Sequence, residues 1–181
     1  MYDASQGESD EELIESANKG DLGAFEALYY RYRDWVHQLA WRFTGKEDLA
    51  LDVLQETFTY LLQKFPGFEL TAKMTTFLYP AVKNFSIAAC RRNRRYISAD
   101  EMLCGIPAPQ KTQASRAELA AVMAGLSLPQ REVLLMKFVD QMKLREIATA
   151  LNISESTAKS RLYRALQTLR EDHRTRKYFL E

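Results

Sequence analysis

The chain contains only two cysteines among its 181 residues, Cys90 and Cys104, and their spacing fits neither a disulfide framework nor a metal site. Free thiols suit a reducing compartment. Proline and glycine are scarce, at five and seven residues, too few to punctuate the many turns of an all-β fold. No alternating strand pattern is present. No apolar run approaches the roughly 18 residues that read as a membrane span, and no charged-then-apolar leader opens the chain. A cytoplasmic protein without stable membrane insertion is expected. His37 and His173 are isolated, and the chain lacks both a glycine-rich phosphate loop and clustered metal ligands. No catalytic residue, metal, cofactor or small-molecule substrate is therefore expected. Cys90 has arginine neighbours, but it is read as helix packing rather than as an activated thiolate.

What is present is helix-forming. Runs of Ala, Leu, Glu, Lys and Arg predict an all-α chain of two small helical domains. Ser9 and Glu12 have capping-box spacing and open a helix over roughly 10–19. Asp21 caps a longer, aromatic-rich helix that Gly45 stops. A third covers 47–64 and ends before Pro66-Gly67, and a fourth runs from Thr75 or Thr76 to about Arg95. Gly105, Pro107 and Pro109 mark residues 96–114 as a linker. The domains are thus expected at 10–95 and 115–175. The second holds a helix at 116–125, then one from Pro129, at the first helical position, to about Val139.

The net charge of +1 hides a strong asymmetry. Eight acids against a single lysine fill the first 26 residues, whereas Arg91, Arg92, Arg94 and Arg95 cluster without an acid nearby. A second basic cluster lies within 143–170, the most informative stretch of the chain. Leu144, Ile147, Ala148 and Leu151 recur at helical spacing, Asn152 tolerates the left-handed backbone of a sharp turn, and Ser154 is a good N-cap. The next helix places Ala158, Leu162, Ala165, Leu166 and Leu169 on one face and Ser156, Ser160, Tyr163, Arg164 and Gln167 opposite. This is the pattern of a helix-turn-helix. Lys159, Arg161 and Arg164 crowd the positive end of the helix dipole against Glu155 alone, which points to an anionic partner rather than an inert hairpin.

The third helix carries a second signal. Its apolar face is read as Leu51, Leu54, Phe58, Leu61, Leu62 and Phe65. Asp52, Glu56, Thr59 and Gln63 form a polar ridge, flanked by Asp48 and Gln55. Asp52 and Glu56 are like charges one turn apart, and no Lys or Arg lies between Glu47 and Gln63. A basic partner surface would resolve this repulsion.

Taken together, DVLQETF at 52–58, the arginine-rich end of the fourth helix and NISESTAKSRLYRALQTLRE at 152–171 resemble a bacterial RNA polymerase sigma factor of the extracytoplasmic-function (ECF) group. The resemblance covers nearly all of residues 10–172. It implies an N-terminal region 2-like bundle, a linker and a C-terminal region 4-like helix-turn-helix. Asp48, Asp52, Gln55, Glu56 and Thr59 would bind core RNA polymerase, while Phe58 is core. Phe77, Lys83, Asn84, Arg91, Arg92 and Arg95 would hold the melted −10 element. Phe77 stands where Trp is common, and Pro80 departs from the family pattern, so the helix is expected to begin later or bend there. Ser156, Thr157, Lys159, Ser160, Arg161, Tyr163 and Arg164 would contact the −35 element. An anti-sigma factor is a further expected partner.

The closest rival is a freestanding regulator with a LuxR-like helix-turn-helix. It would need an upstream sensor or receiver, and residues 10–95 lack the strand–helix alternation of a receiver. An enzyme is disfavoured by the isolated histidines, and an inert adaptor leaves the arginine clusters unexplained. The tail after His173 is read as a frayed helix end.

Overall fold

The structure, a computed structural model, describes residues 7–93 and 122–172. The chain divides into two compact units after Arg95. Every regular element among the described residues is a helix.

The first unit contains α1 (Asp10–Asn18), α2 (Leu22–Thr44), α3 (Glu47–Leu62) and α4 (Met74–Arg92). Local chemistry sets most of the boundaries. At α1, the Ser9 hydroxyl accepts from the Glu12 N–H and the Glu12 carboxylate accepts from the Ser9 N–H. Those bonds hold the Glu12 carboxyl below its ordinary pKa. The Asp21 carboxylate accepts from the N–H groups of Gly23 and Ala24, and Gly45 closes α2 in the left-handed conformation at φ 63°. Helix α2 packs against α1, α3 and α4. Val36, Leu39 and Ala40 of α2, Val53 and Leu61 of α3, and Leu78 and Val82 of α4 are fully buried between them. Each large aliphatic residue among them stabilises the bundle by about 1.5–3 kcal/mol relative to exposure. Phe43 meets Tyr79 edge-on, and Tyr29 does the same with Phe58.

Three expectations about these helices are corrected. The buried face of α3 is Leu49, Ala50, Val53, Thr57, Phe58 and Leu61, while Leu51 and Leu62 are exposed. Periodicity alone misplaced the stripe because α3 is wedged between α2 and α4. Its core face also includes Thr57, whose hydroxyl is satisfied by donating to the Val53 carbonyl. Helix α4 begins at Met74, before the threonines, and continues through Pro80. Proline cannot donate to the carbonyl one turn earlier, yet burial of Leu78, Tyr79 and Val82 on both sides keeps the helix whole.

In the second unit, residues 122–124 are helical and precede α5 (Leu128–Phe138), α6 (Leu144–Leu151) and α7 (Glu155–Glu171). Helix α5 starts one residue earlier than expected. Ser127 caps it, the Gln130 side chain accepts from the Ser127 N–H, and Pro129 occupies the second helical position. Val133, Met136, Met142, Ile147, Ala158 and Ala165 form the core. The expected linker at 96–114, most of the 116–125 helix, Cys104 and the tail lie outside the described residues.

Candidate functional site

Three surfaces emerge, two in the first unit and one in the second. In the first, Asp48, Asp52, Gln55 and Thr59 are exposed along α3, opposite its buried face. None of these four pairs with another described residue. Glu56 is more enclosed, and the Arg92 guanidinium from the end of α4 donates to its Oε1 at 2.5 Å. The expectation that no cation offsets Asp52 and Glu56 is thereby corrected. The compensating residue lies 36 positions away, beyond the reach of any helical spacing rule. Beside the ridge, Asp52, Gln55, Glu56, Thr59, Tyr60, Gln63 and Phe85 line an open groove of about 530 Å³.

Along α4, Asn84, Arg91 and Arg92 are exposed and Lys83 is half-buried. Phe77 is also half-buried: its ring stacks on Tyr60 at 6.1 Å and tilts against Phe68 at 4.8 Å. Tyr60 in turn meets Phe85 edge-on and carries the Lys64 ammonium 4.5 Å above its ring. An aromatic cluster thus already engages the ring expected to receive bases. Arg95 lies outside the described residues.

In the second unit, Asn152 ends α6 at φ 51°, and the Ile153 N–H reaches back to the Ala148 carbonyl. The Ser154 hydroxyl accepts from the Thr157 N–H and sits 2.9 Å from Ser156 Oγ and 2.7 Å from Thr157 Oγ1. Helix α7 buries Ala158 and Ala165 and half-buries Leu162, Leu166 and Leu169. Ser156, Lys159, Ser160, Tyr163 and Arg164 are exposed, with Tyr163 at 68 %. Thr157 and Arg161 lie at the edge of the packed face. Lys159, Arg161 and Arg164 form no ion pair with any described residue. The result is an exposed cationic helix face, presented by small buried alanines that let α7 sit close on its neighbours.

Several supporting residues escape sequence reasoning. Asn18 clamps the α3–α4 loop: its Oδ1 accepts from the N–H groups of Gly67 and Phe68, and its Nδ2 donates to the Phe68 carbonyl. Arg31 donates to Asp10 Oδ1 at 2.6 Å, and the Tyr32 hydroxyl donates to the other carboxylate oxygen. Burial, then that bond, pushes the Tyr32 phenol well above its ordinary pKa. Arg131 is fully buried, its guanidinium donating to the carbonyls of Met123 and Leu126. Such buried cations have no periodic signature. By contrast, Cys90 is buried as expected, and burial pushes its thiol pKa up. His37 is half-buried, with Nε2 2.9 Å from Glu47 Oε1, a packed side chain next to a carboxylate.

A bundle with an acidic ridge and arginine end, followed by a helix-turn-helix, is the composition of a transcription initiation subunit, and known proteins agree. The family model described as sigma-70 region 2 matches residues 28–96. That described as sigma-70, region 4 matches residues 116–169. The ECF RNA polymerase sigma factor SigW of Bacillus subtilis is 29% identical over 178 residues, spanning 89% of this chain and 95% of that protein. The ECF RNA polymerase sigma-E factor of Escherichia coli is 28% identical over 177 residues, spanning 89% of this chain and 92% of that protein. Among solved structures, CnrH in complex with the cytosolic domain of CnrY superposes with a TM-score of 0.68 at 22% identity, covering 89% of this chain and 94% of that one. The sigma factor RpoE of Bartonella quintana, in complex with the anti-sigma factor NepR, gives a TM-score of 0.62 at 19% identity, covering 81% and 94%. The chain belongs to the sigma-70 family of RNA polymerase sigma factors, in its ECF group. Its function is to bind core RNA polymerase and direct promoter-specific initiation, and the freestanding-regulator alternative is not favoured.

Proposed function

We propose that three surfaces divide the work of initiation. Asp48, Asp52, Gln55, Glu56 and Thr59 form the docking surface for core RNA polymerase. Lys83, Asn84, Arg91, Arg92 and Arg95, with Phe77, serve the melted −10 element. Ser156, Thr157, Lys159, Ser160, Arg161, Tyr163 and Arg164 read and grip the −35 duplex. The observation that carries the docking assignment is a row of exposed polar groups on α3, Asp48, Asp52, Gln55 and Thr59, that pair with no described residue and lie opposite the packed face. Desolvating such carboxylates is costly unless a basic surface receives them.

On the duplex side, the start of α7 carries Ser156 and Thr157 at the positive end of its dipole, while Lys159 and Arg164 are exposed and ion-pair with no described residue. For the single strand, the arginines at the end of α4 supply phosphate affinity, and the Tyr60–Phe77–Phe68 stack near the start of that helix acts as a rigid wall rather than as a set of free platforms. The protein performs no covalent chemistry and acts in the cytoplasm, where polymerase and promoters are. An anti-sigma factor holds it inactive by covering these surfaces, as the complex of Bartonella quintana RpoE with NepR suggests.

The test is reconstitution. Mixed with core polymerase, the protein should give promoter-specific transcripts, and Glu56→Lys should abolish co-purification with core polymerase at unchanged helical content. Retained binding by that variant would remove α3 from the docking surface.

A further inference from the structure

The Glu56–Arg92 contact joins two surfaces that the proposed function keeps apart. Glu56 belongs to the polymerase ridge, and Arg92 belongs to the arginine end of α4. We infer that this ion pair is an exchangeable latch: in the free protein each residue occupies the other, and polymerase docking releases Arg92 to nucleic acid.

The geometry supports exchange rather than a structural role. The contact is a single guanidinium nitrogen on a single carboxylate oxygen at 2.5 Å, and the side chains remain 60% and 36% exposed. Exposed pairs of this kind stabilise little, so the fold does not depend on this one. Neither side chain has another ion pair with a described residue. Asp52, one turn before Glu56, pairs with no described residue, so an incoming basic surface meets two carboxylates where Arg92 meets only one. That surface can therefore outcompete Arg92 for Glu56. The displaced guanidinium sits at the exposed end of α4 next to Arg91, where a phosphate is its natural replacement partner.

Linkage makes the effect reciprocal. A phosphate that takes Arg92 frees Glu56 for polymerase, so each ligand favours the other. The free protein consequently binds single strands more weakly than its arginine content suggests. This inference rests on the assignment of Glu56 to polymerase and of Arg92 to DNA, and the experiment separates failure of either from failure of the latch.

The experiment is a double-mutant cycle on the full chain with E56Q, R92Q and E56Q/R92Q. Binding of a fluorescein-labelled single-stranded DNA is followed by anisotropy across a salt series. E56Q should tighten binding about twofold to fivefold, the range set by an exposed pair. It should also steepen the log–log salt slope by about 0.7, one phosphate contact on a single strand. In the R92Q background E56Q should do neither. Equal gains in both backgrounds would reveal a general field effect and overturn the latch. No effect of R92Q in either background would instead remove Arg92 from the DNA surface. In the second arm, R92Q without DNA should bind core polymerase about twofold to fivefold more tightly, because Glu56 no longer has an internal competitor. Weaker or unchanged binding would overturn the latch, while unchanged polymerase binding by E56Q would fault the docking assignment itself.

Discussion

Asn152 and Cys90 show two different ways in which a single residue depends on its surroundings. Asn152 occupies φ 51°, where a side chain clashes with its own backbone unless it is short and polar. Asn152→Val should destabilise the second unit by about 1–2 kcal/mol, measured as a lowered urea midpoint at constant m-value, whereas Asn152→Gly should be close to neutral. This position was legible in the sequence because the requirement is local. Cys90 was legible as a packing residue, but its ionisation was not. Burial raises the thiol pKa in the folded state, which favours the neutral form. Its contribution to stability is therefore fully present below the unfolded thiol pKa of about 8.5, and it is lost as the pH rises through the folded value. Denaturation midpoints should fall more steeply above that pH in the native protein than in Cys90→Ala, and thiol labelling of the folded chain should be slow until denaturant is added.

At the level of the element, the two functional helices differ in how well their faces could be read. Helix α7 has solvent on most of its circumference, so the apolar stripe from Ala158 to Leu169 is narrow and its opposite face follows directly. Arg164→Ala should weaken −35-dependent transcription by about 1–3 kcal/mol if the guanidinium contacts a base. Equal loss on matched and scrambled −35 sequences would place the residue on phosphate instead. Helix α3 is squeezed between two helices, so its buried arc is wide and includes Thr57, while Leu51 and Leu62 face outward. The polar ridge was nevertheless legible in part: Asp52, Thr59 and Gln63 are exposed, whereas Glu56 is half-buried against Arg92 of α4. Helix α4 held together through Pro80 for a reason the sequence does not display: the buried residues around it outweigh one missing hydrogen bond.

At the scale of the whole molecule, function depends on keeping two small helical units folded and tethered. In the first unit, Asn18 ties the end of α1 to the loop between α3 and α4, and Phe68 from that loop packs on Phe77 and Phe65. Asn18→Ala removes three hydrogen bonds at once and should cost about 1–3 kcal/mol, read as a lower thermal midpoint. Because the loop backs the aromatic wall at the start of α4, the same variant should also lose activity on promoters at temperatures where it is still folded. Tethering explains why neither surface has to bind tightly alone: once polymerase holds the first unit, the second works at a high effective concentration. The sequence by itself determined the all-α class, the caps and stops of most helices, the helix-turn-helix with its cationic face, and the acidic ridge. Each of these is written in spacings of a few residues. Only the tertiary structure decided which arc of α3 is buried, where α4 begins, how Arg131 and Asn18 are satisfied, and that Glu56 and Arg92 meet. Those outcomes join residues from five to fifty positions apart or turn on how several helices share one core, and no regular helical spacing encodes either.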